Sequence, residues 1–170
     1  DARVVEVTGD WAPFVPRALT EAFRGHGRLE SEHRHVTVAF LHLQGLDGRI
    51  AHGDLDEVAG DLDRLVRAVQ DAVDRRDVCF LATDLAADGT KIILTAGAPR
   101  SAGHDEESML LALRAIVDAA PAIPVRIGVN SGSVFAGEID TSDWRTYTGM
   151  GDPVNVAARI MGKARAGEIL

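Results

Sequence analysis

Thr146-Tyr-Thr-Gly-Met-Gly-Asp-Pro-Val-Asn-Val-Ala-Ala-Arg159 reads as the end of a strand, a glycine turn and the first turns of a helix. Asp152 suits the N-cap, where its carboxylate can accept from unpaired first-turn amides. Pro153 suits the first helical position, where a missing N–H costs nothing. Asn155 and Arg159 stand four residues apart, so both project from one helix face near its positive end. An amide beside a guanidinium, above free backbone amides, suits a phosphate or a charged transition state. The same spacing describes an ordinary capped amphipathic helix with one solvated arginine, so the rest of the chain must decide.

Just upstream, Val125-Arg-Ile-Gly-Val129 predicts a strand, Ser131-Gly-Ser133 a turn and Val134-Phe-Ala136 the returning strand. A polar loop from Glu138 to Asp143 and a short strand Trp144–Thr148 lead into the helix. Further back, His35-Val-Thr-Val-Ala-Phe-Leu-His-Leu43 is β-branched and almost continuously apolar, as central strands are. Gln44 to Asp54 reads as a Gly/Asp-rich loop, and Leu55 to Arg75 carries Leu55, Val58, Leu62, Leu65, Val66, Val69 and Val73 on one helical stripe. Strands Val78–Ala82 and Lys91–Ala96 flank a connection ending in Asp88-Gly89, a favoured hairpin dipeptide. Asp105, Glu106 and Glu107 load the positive end of a helix that continues from Met109 to Ala119.

Arg3–Thr8 predicts a strand and Trp11–Phe23 a helix, while Glu168-Ile-Leu170 begins a further strand. The resulting β-α-β-β-α-β order, with an extra hairpin and helix, predicts an α+β, ferredoxin-like palm: an antiparallel-centred sheet with helices on one face. A doubly wound parallel sheet is the alternative. Residues 1–33 read as a lead-in strand and helix, and 34–170 as the main domain, C-terminally truncated from a longer protein.

Charge narrows the function. With 26 acidic against 18 basic residues, the formal charge is −8, which argues against a nucleic-acid or anionic-membrane surface. A small nucleotide needs only a few cations in one pocket and stays open. Cys79 is the single cysteine, so no disulfide framework or cysteine-based metal site forms; its apolar setting predicts a small buried hydrophobe. No apolar run approaches membrane-spanning length and no signal peptide opens the chain, so the cytoplasm is the expected compartment. His104 with Asp105 and Glu106 has a metal-like composition, but acid at a helix start is ordinary capping chemistry. Arg100 and Arg126 read as surface or strand-edge charges, and Trp11 and Trp144 as scattered aromatics.

Val125-Arg-Ile-Gly-Val-Asn-Ser-Gly-Ser-Val-Phe-Ala-Gly137, followed by Tyr147-Thr-Gly-Met-Gly-Asp-Pro-Val-Asn-Val-Ala-Ala-Arg159, resembles a class III adenylate/guanylate cyclase homology domain from about Arg34 to Leu170. The style is that of cyclase domains in multidomain soluble adenylyl cyclase-like proteins. The resemblance implies a dimer with active sites shared across the interface. One side supplies two metal-binding aspartates; the other supplies a purine-selecting pair, an asparagine and an arginine. It implies attack of the ribose 3′-hydroxyl on the α-phosphate, with pyrophosphate leaving and two Mg²⁺ ions assisting. Asn155 would then orient the ribose, and Arg159 would meet charge developing on the α-phosphate.

The metal side departs from the family pattern. His42 stands where the first aspartate is expected, and Thr90, after Gly89, where the second is expected. A neutral imidazole and a hydroxyl are poor ligands for hard Mg²⁺. Asp88 or Asp84 are the possible stand-ins if the hairpin register shifts. The purine pair is altered too: Ala86 stands where the lysine is expected, and Thr148 at the second position keeps only a hydroxyl. Two functions follow. In the first, the chain is the transition-state half of a hetero- or homodimer that makes a cyclic nucleotide, cyclic AMP foremost. Mg²⁺ or Mn²⁺ is then held only through a partner cyclase domain. In the second, it is a catalytically inactive module that binds nucleotide or dimerises to regulate neighbouring domains. Either way, the isolated domain is expected to be silent.

Overall fold

A computed structural model describes residues 15–26, 31–87, 89–119, 121–140 and 145–170. The predicted strand Arg3–Thr8, the start of the Trp11–Phe23 helix, and Asp88 and Trp144 lie outside the described residues. In chain order the elements are α1 (Arg17–His26), β1 (Glu32–Leu43), α2 (Leu46–His52), α3 (Leu55–Asp74), β2 (Cys79–Ala86), β3 (Gly89–Ala96), α4 (Asp105–Asp118), β4 (Val125–Asp140), β5 (Arg145–Met150) and α5 (Asp152–Met161). The strands form a five-stranded sheet in the order β2-β3-β1-β4-β5. All four pairings are antiparallel, as expected for the palm and not for a doubly wound sheet. The apolar run around Val36–Leu43 is central because it pairs on both sides, with β3 and with β4.

Alternation along β1 sends its side chains to two different cores. Ala39, Leu41 and Leu43 join Ile92, Leu94 and Ile127 beneath α3 and α4, in a cluster that includes Leu65, Val69, Leu113 and Ile116. Val38 and Phe40 face the other way and pack on Ala157 and Met161 of α5. Val36 shares that second face with Leu19 of α1, Cys79, Val134 and Ala136. Helices therefore cover both faces, where the sequence pattern predicts one. The reason is the apolar stripe of α5, Val154–Ala157–Met161, which needs a sheet face of its own.

That face is prepared by glycine. Val125–Asp140 is one continuous strand, so the expected turn at Ser131-Gly-Ser133 does not form. Ser131, Gly132 and Ser133 stay in register opposite Thr37, Val36 and His35. A Cβ on Gly132 would fall 2.6 Å from Cγ of Pro153, and one on Gly128 would run into the backbone of Met161 and Ala157. The small residues that look like a turn instead let a helix approach a strand closely.

A second difference is α2, in the segment read as loop. Gly45 reverses the chain at φ 71°, Leu46 is buried beneath it, and Arg49 bonds Asp61 of α3 at 2.5 Å. Asp61 also accepts from Arg64, which explains a carboxylate on the otherwise apolar stripe of α3. Asp54 caps α3 as an aspartate should, accepting from the amides of Asp56 and Glu57. Beyond α5, the chain returns to the sheet: Ile169 bridges Ile127 in parallel, in line with the strand expected at Glu168–Leu170. Among the described residues, no helix is long and apolar enough to cross a membrane.

Candidate active site

The residues singled out by sequence fall at two ends of the α5-covered sheet face. At one end, β5 passes through Gly149-Met150-Gly151 into α5. Gly151 is the N-cap, at φ 156°, and no side-chain hydrogen bond caps the helix. Asp152 is therefore the first helical residue and not the cap: at this junction, a backbone excursion that favours glycine takes the cap position. The exposed Asp152 carboxylate still lies by the positive helix end. Asn130 of β4 donates through Nδ2 to the carbonyl of Pro153 at 3.2 Å, tying the start of α5 to the sheet.

Ala157 and Met161 are the buried residues of α5. Asn155 and Arg159 are offset from them by two positions, about 200° around the helix, and both are exposed. They share a face, as the spacing predicts. Only Asn155 is near the positive end, however: α5 is ten residues long and Arg159 lies in its last turn. A guanidinium there complements the helix dipole and faces outward. The pair has the right chemistry to hold an anion brought by another surface.

The other end is where β1, β3 and β4 run side by side. Cross-strand register sets His42 opposite Lys91 on one side and opposite Arg126 on the other, and Lys91 opposite Asp84 of β2. Directly paired residues share a sheet face, so Asp84, Lys91, His42 and Arg126 form one row. His42 is 8% exposed and Lys91 7%. Nζ of Lys91 stands 3.6 Å from Oδ2 of the half-exposed Asp84. Gly89 has φ 112°, and a Cβ there would fall 2.6 Å from Nε2 of His42, so the imidazole packs against the hairpin. Thr90 alternates away from Lys91, onto the face of Ile92 and Leu94.

This row does not suit the Mg²⁺ that the family resemblance implies. Of its four side chains only Asp84 is a carboxylate, and that carboxylate already faces the Lys91 ammonium. Among the described residues, no three His, Cys, Asp or Glu side chains converge closely enough to hold a metal ion. Sequence reading passed over Lys91 as a strand residue and assigned Arg126 to a strand edge. Only the β1 register shows that they flank His42.

Thr148 pairs with Gly137 and is partly buried. It lines a small apolar cavity of about 70 Å³ with Val38, Phe40, Ile93 and Val154, on the same sheet face. A larger cavity of about 400 Å³ lies elsewhere, between α1 and the loop after β3, lined by Arg17, Glu21, Cys79 and Arg100. It includes none of the residues singled out as catalytic, substrate-binding or metal-binding. Cys79 is 1% exposed, and burial pushes its thiol up to about 12, so it is an inert core residue. His104, the N-cap of α4, makes no side-chain cap bond; Asp105, the first helical residue, instead accepts from Ser101 and Ala102 and so fastens the preceding loop to the helix start.

Comparison with known proteins agrees with this architecture. An uncharacterized protein of Mycobacterium tuberculosis (strain ATCC 25618 / H37Rv) is 33% identical over 155 residues, covering 88% of this chain and 28% of the relative. The chain thus spans little more than a quarter of that protein's length. Among solved structures, the adenylyl cyclase CyaB from P. aeruginosa superposes with a TM-score of 0.68 at 18% identity, covering 83% of this chain and 78% of the other. The guanylate cyclase domain of RhGC from Catenaria anguillulae, solved in complex with GTP, gives 0.67 at 22% identity, covering 81% and 78%. At those identities the structures speak for the fold alone. Residues 30–170 match the family model described as the adenylate and guanylate cyclase catalytic domain. With most of its length in that match, the chain belongs to the adenylate and guanylate cyclase catalytic domain family.

Proposed function

We propose that this chain is the transition-state-stabilising half of a nucleotidyl cyclase dimer, whose partner cyclase domain supplies the metal-binding aspartates. The observation that carries the reading is the placement of Asn155 and Arg159 on the exposed face of α5, opposite its buried stripe. Groups in that position serve a substrate bound across an interface. The substrate is a nucleoside triphosphate, ATP in the first instance, and the product is the cyclic nucleotide. As the 3′-oxygen bonds to the α-phosphorus and the bond to pyrophosphate breaks, Arg159 offsets the added negative charge, and Asn155 holds the ribose in line. Thr148 offers one hydroxyl to the base edge from the rim of the apolar cavity. Mg²⁺ or Mn²⁺ belongs to the partner's side, because His42, Lys91 and Thr90 offer it no carboxylate here.

The alternative is a catalytically inactive module that dimerises or binds nucleotide to regulate neighbouring domains. The cationic row at His42 favours it, since a dimer of two such chains has no metal-competent half. The two readings separate on mixing the protein with a metal-competent cyclase domain and assaying cyclic nucleotide. The heterodimer reading expects turnover that Arg159→Ala abolishes. Turnover indifferent to that substitution assigns the chain to regulation.

A further inference from the structure

The side of the site that should hold metal is not merely short of ligands; its charge is inverted. Lys91 is 7% exposed, with its ammonium directed at Asp84, the half-exposed carboxylate at the open end of the row. A buried aliphatic stem ending at the surface is the usual way for lysine to carry a charge into an apolar sheet. Directly paired residues have Cβ atoms about 4.5–5.5 Å apart, so Lys91 sits between the positions of Asp84 and His42. Arg126 follows on the far side of His42, with its Nε buried and no hydrogen-bond partner. Among the described residues, a further carboxylate near the hairpin is that of Asp47, whose Oδ2 lies 3.6 Å from where a Cβ on Gly89 would stand.

We propose that Lys91 is the resident cation of this half-site, supplying from within the chain the positive charge for which the family uses a divalent ion. It engages Asp84, a candidate stand-in ligand, and with Arg126 repels a second cation. The half-site is thus closed to Mg²⁺ and Mn²⁺ at any physiological concentration. Restoring a carboxylate at position 42 then creates an ion pair with Lys91 and not a metal site. Position 91 must be neutralised as well, which leaves carboxylates at 42 and 84 on either side of the space Lys91 held.

This inference deepens the heterodimer reading but is read out without a partner or turnover. Mn²⁺ binding to the purified protein is measured by calorimetry and electron paramagnetic resonance, with thermal melts reporting the fold. The wild type and His42→Asp are expected to bind no Mn²⁺ at the site, with His42→Asp melting at or above the wild type. His42→Asp combined with Lys91→Ser is expected to bind at least about tenfold more tightly than His42→Asp alone. Should the serine variant misfold, Lys91→Met in the same background preserves the stem's packing and carries the same expectation. Equal Mn²⁺ affinity with and without Lys91 overturns the proposal. So does Mn²⁺ binding by the wild type at the His42 row, or no binding by either folded double variant. Arg159-dependent turnover with a partner is assayed separately, so the heterodimer reading can fail while this inference stands, and the reverse.

Discussion

At the α5 end of the sheet, Asn155 and Arg159 stand exposed on a helix whose opposite side is fixed by Ala157 and Met161. At the β3 end, His42 and Lys91 are more than nine-tenths buried, and Lys91 is committed to Asp84. Both ends belong to one sheet face in one cyclase-family domain, yet one is presented outward and the other is closed around its own charge. Fold membership therefore does not transfer as a whole; each half of a shared site has to be judged on its own residues. On the proposed function, this contrast is the reason to expect activity in a pair and none from the chain alone.

The sharpest way to break the comparison is at the exposed end. In a mixture with a metal-competent partner, Arg159→Ala should lower turnover by about 10²–10³-fold, the usual cost of removing one preorganised group from the transition state. Its melting temperature should stay close to the wild type, because the exposed guanidinium has no packing role. A variant that loses activity only by unfolding would remove the distinction between the two ends. The next effect concerns the seat of α5. Gly128→Val should destabilise the protein by about 1–3 kcal/mol in chemical denaturation, since its Cβ meets the backbone of Met161 and Ala157. Gly132→Ala meets only the Pro153 ring, at 2.6 Å, and should cost less. Equal costs would contradict the reading of these glycines as graded room for the helix.

Smaller effects sharpen the account away from the site. Asp61 is held below the ordinary carboxylate range, first by its hydrogen bond from Arg49 and also by that from Arg64, against the opposing effect of desolvation. A lowered folded-state value means stability that is complete above the unfolded carboxylate pKa and is lost as pH falls through the folded one. Asp61→Asn should therefore lower the denaturation midpoint at neutral pH and flatten its decline in acid. For Cys79 the sign is the opposite: with its thiol raised to about 12 by burial, the folded state keeps a proton that the unfolded thiol has lost, so stability falls once pH exceeds the unfolded thiol value and stops falling as the buried thiol itself ionises. At neutral pH a thiol reagent should modify Cys79 only on unfolding, and rapid labelling of the native protein would contradict its place in the core.

Much of the fold was legible because hydrophobic periodicity reports burial directly. The stripe on Leu55–Arg75 and the continuous apolar run of His35–Leu43 are a helix and a central strand for that reason. Small residues were misleading because glycine serves two ends. Ser131-Gly-Ser133 has the composition of a turn, but Gly132 is small to admit Pro153. Gly45 opens a short helix inside a segment whose composition suggests loop. Of the site, Asn155 and Arg159 share a face by local spacing alone, so sequence suffices for that. The Lys91–His42–Arg126 row depends on the register of three strands separated by up to 84 residues in sequence (from His42 to Arg126), and no local pattern announces it.

The most direct test of the central claim is cyclic nucleotide production by the protein alone and in a mixed dimer, with ATP and saturating Mg²⁺ or Mn²⁺. The partner is a metal-competent cyclase domain whose own transition-state arginine has been replaced, so that Arg159 is the arginine available to the complete site. The account predicts no product from either protein alone and product from the mixture. Cyclic nucleotide from this protein alone, or a mixture as silent as its components, would contradict it.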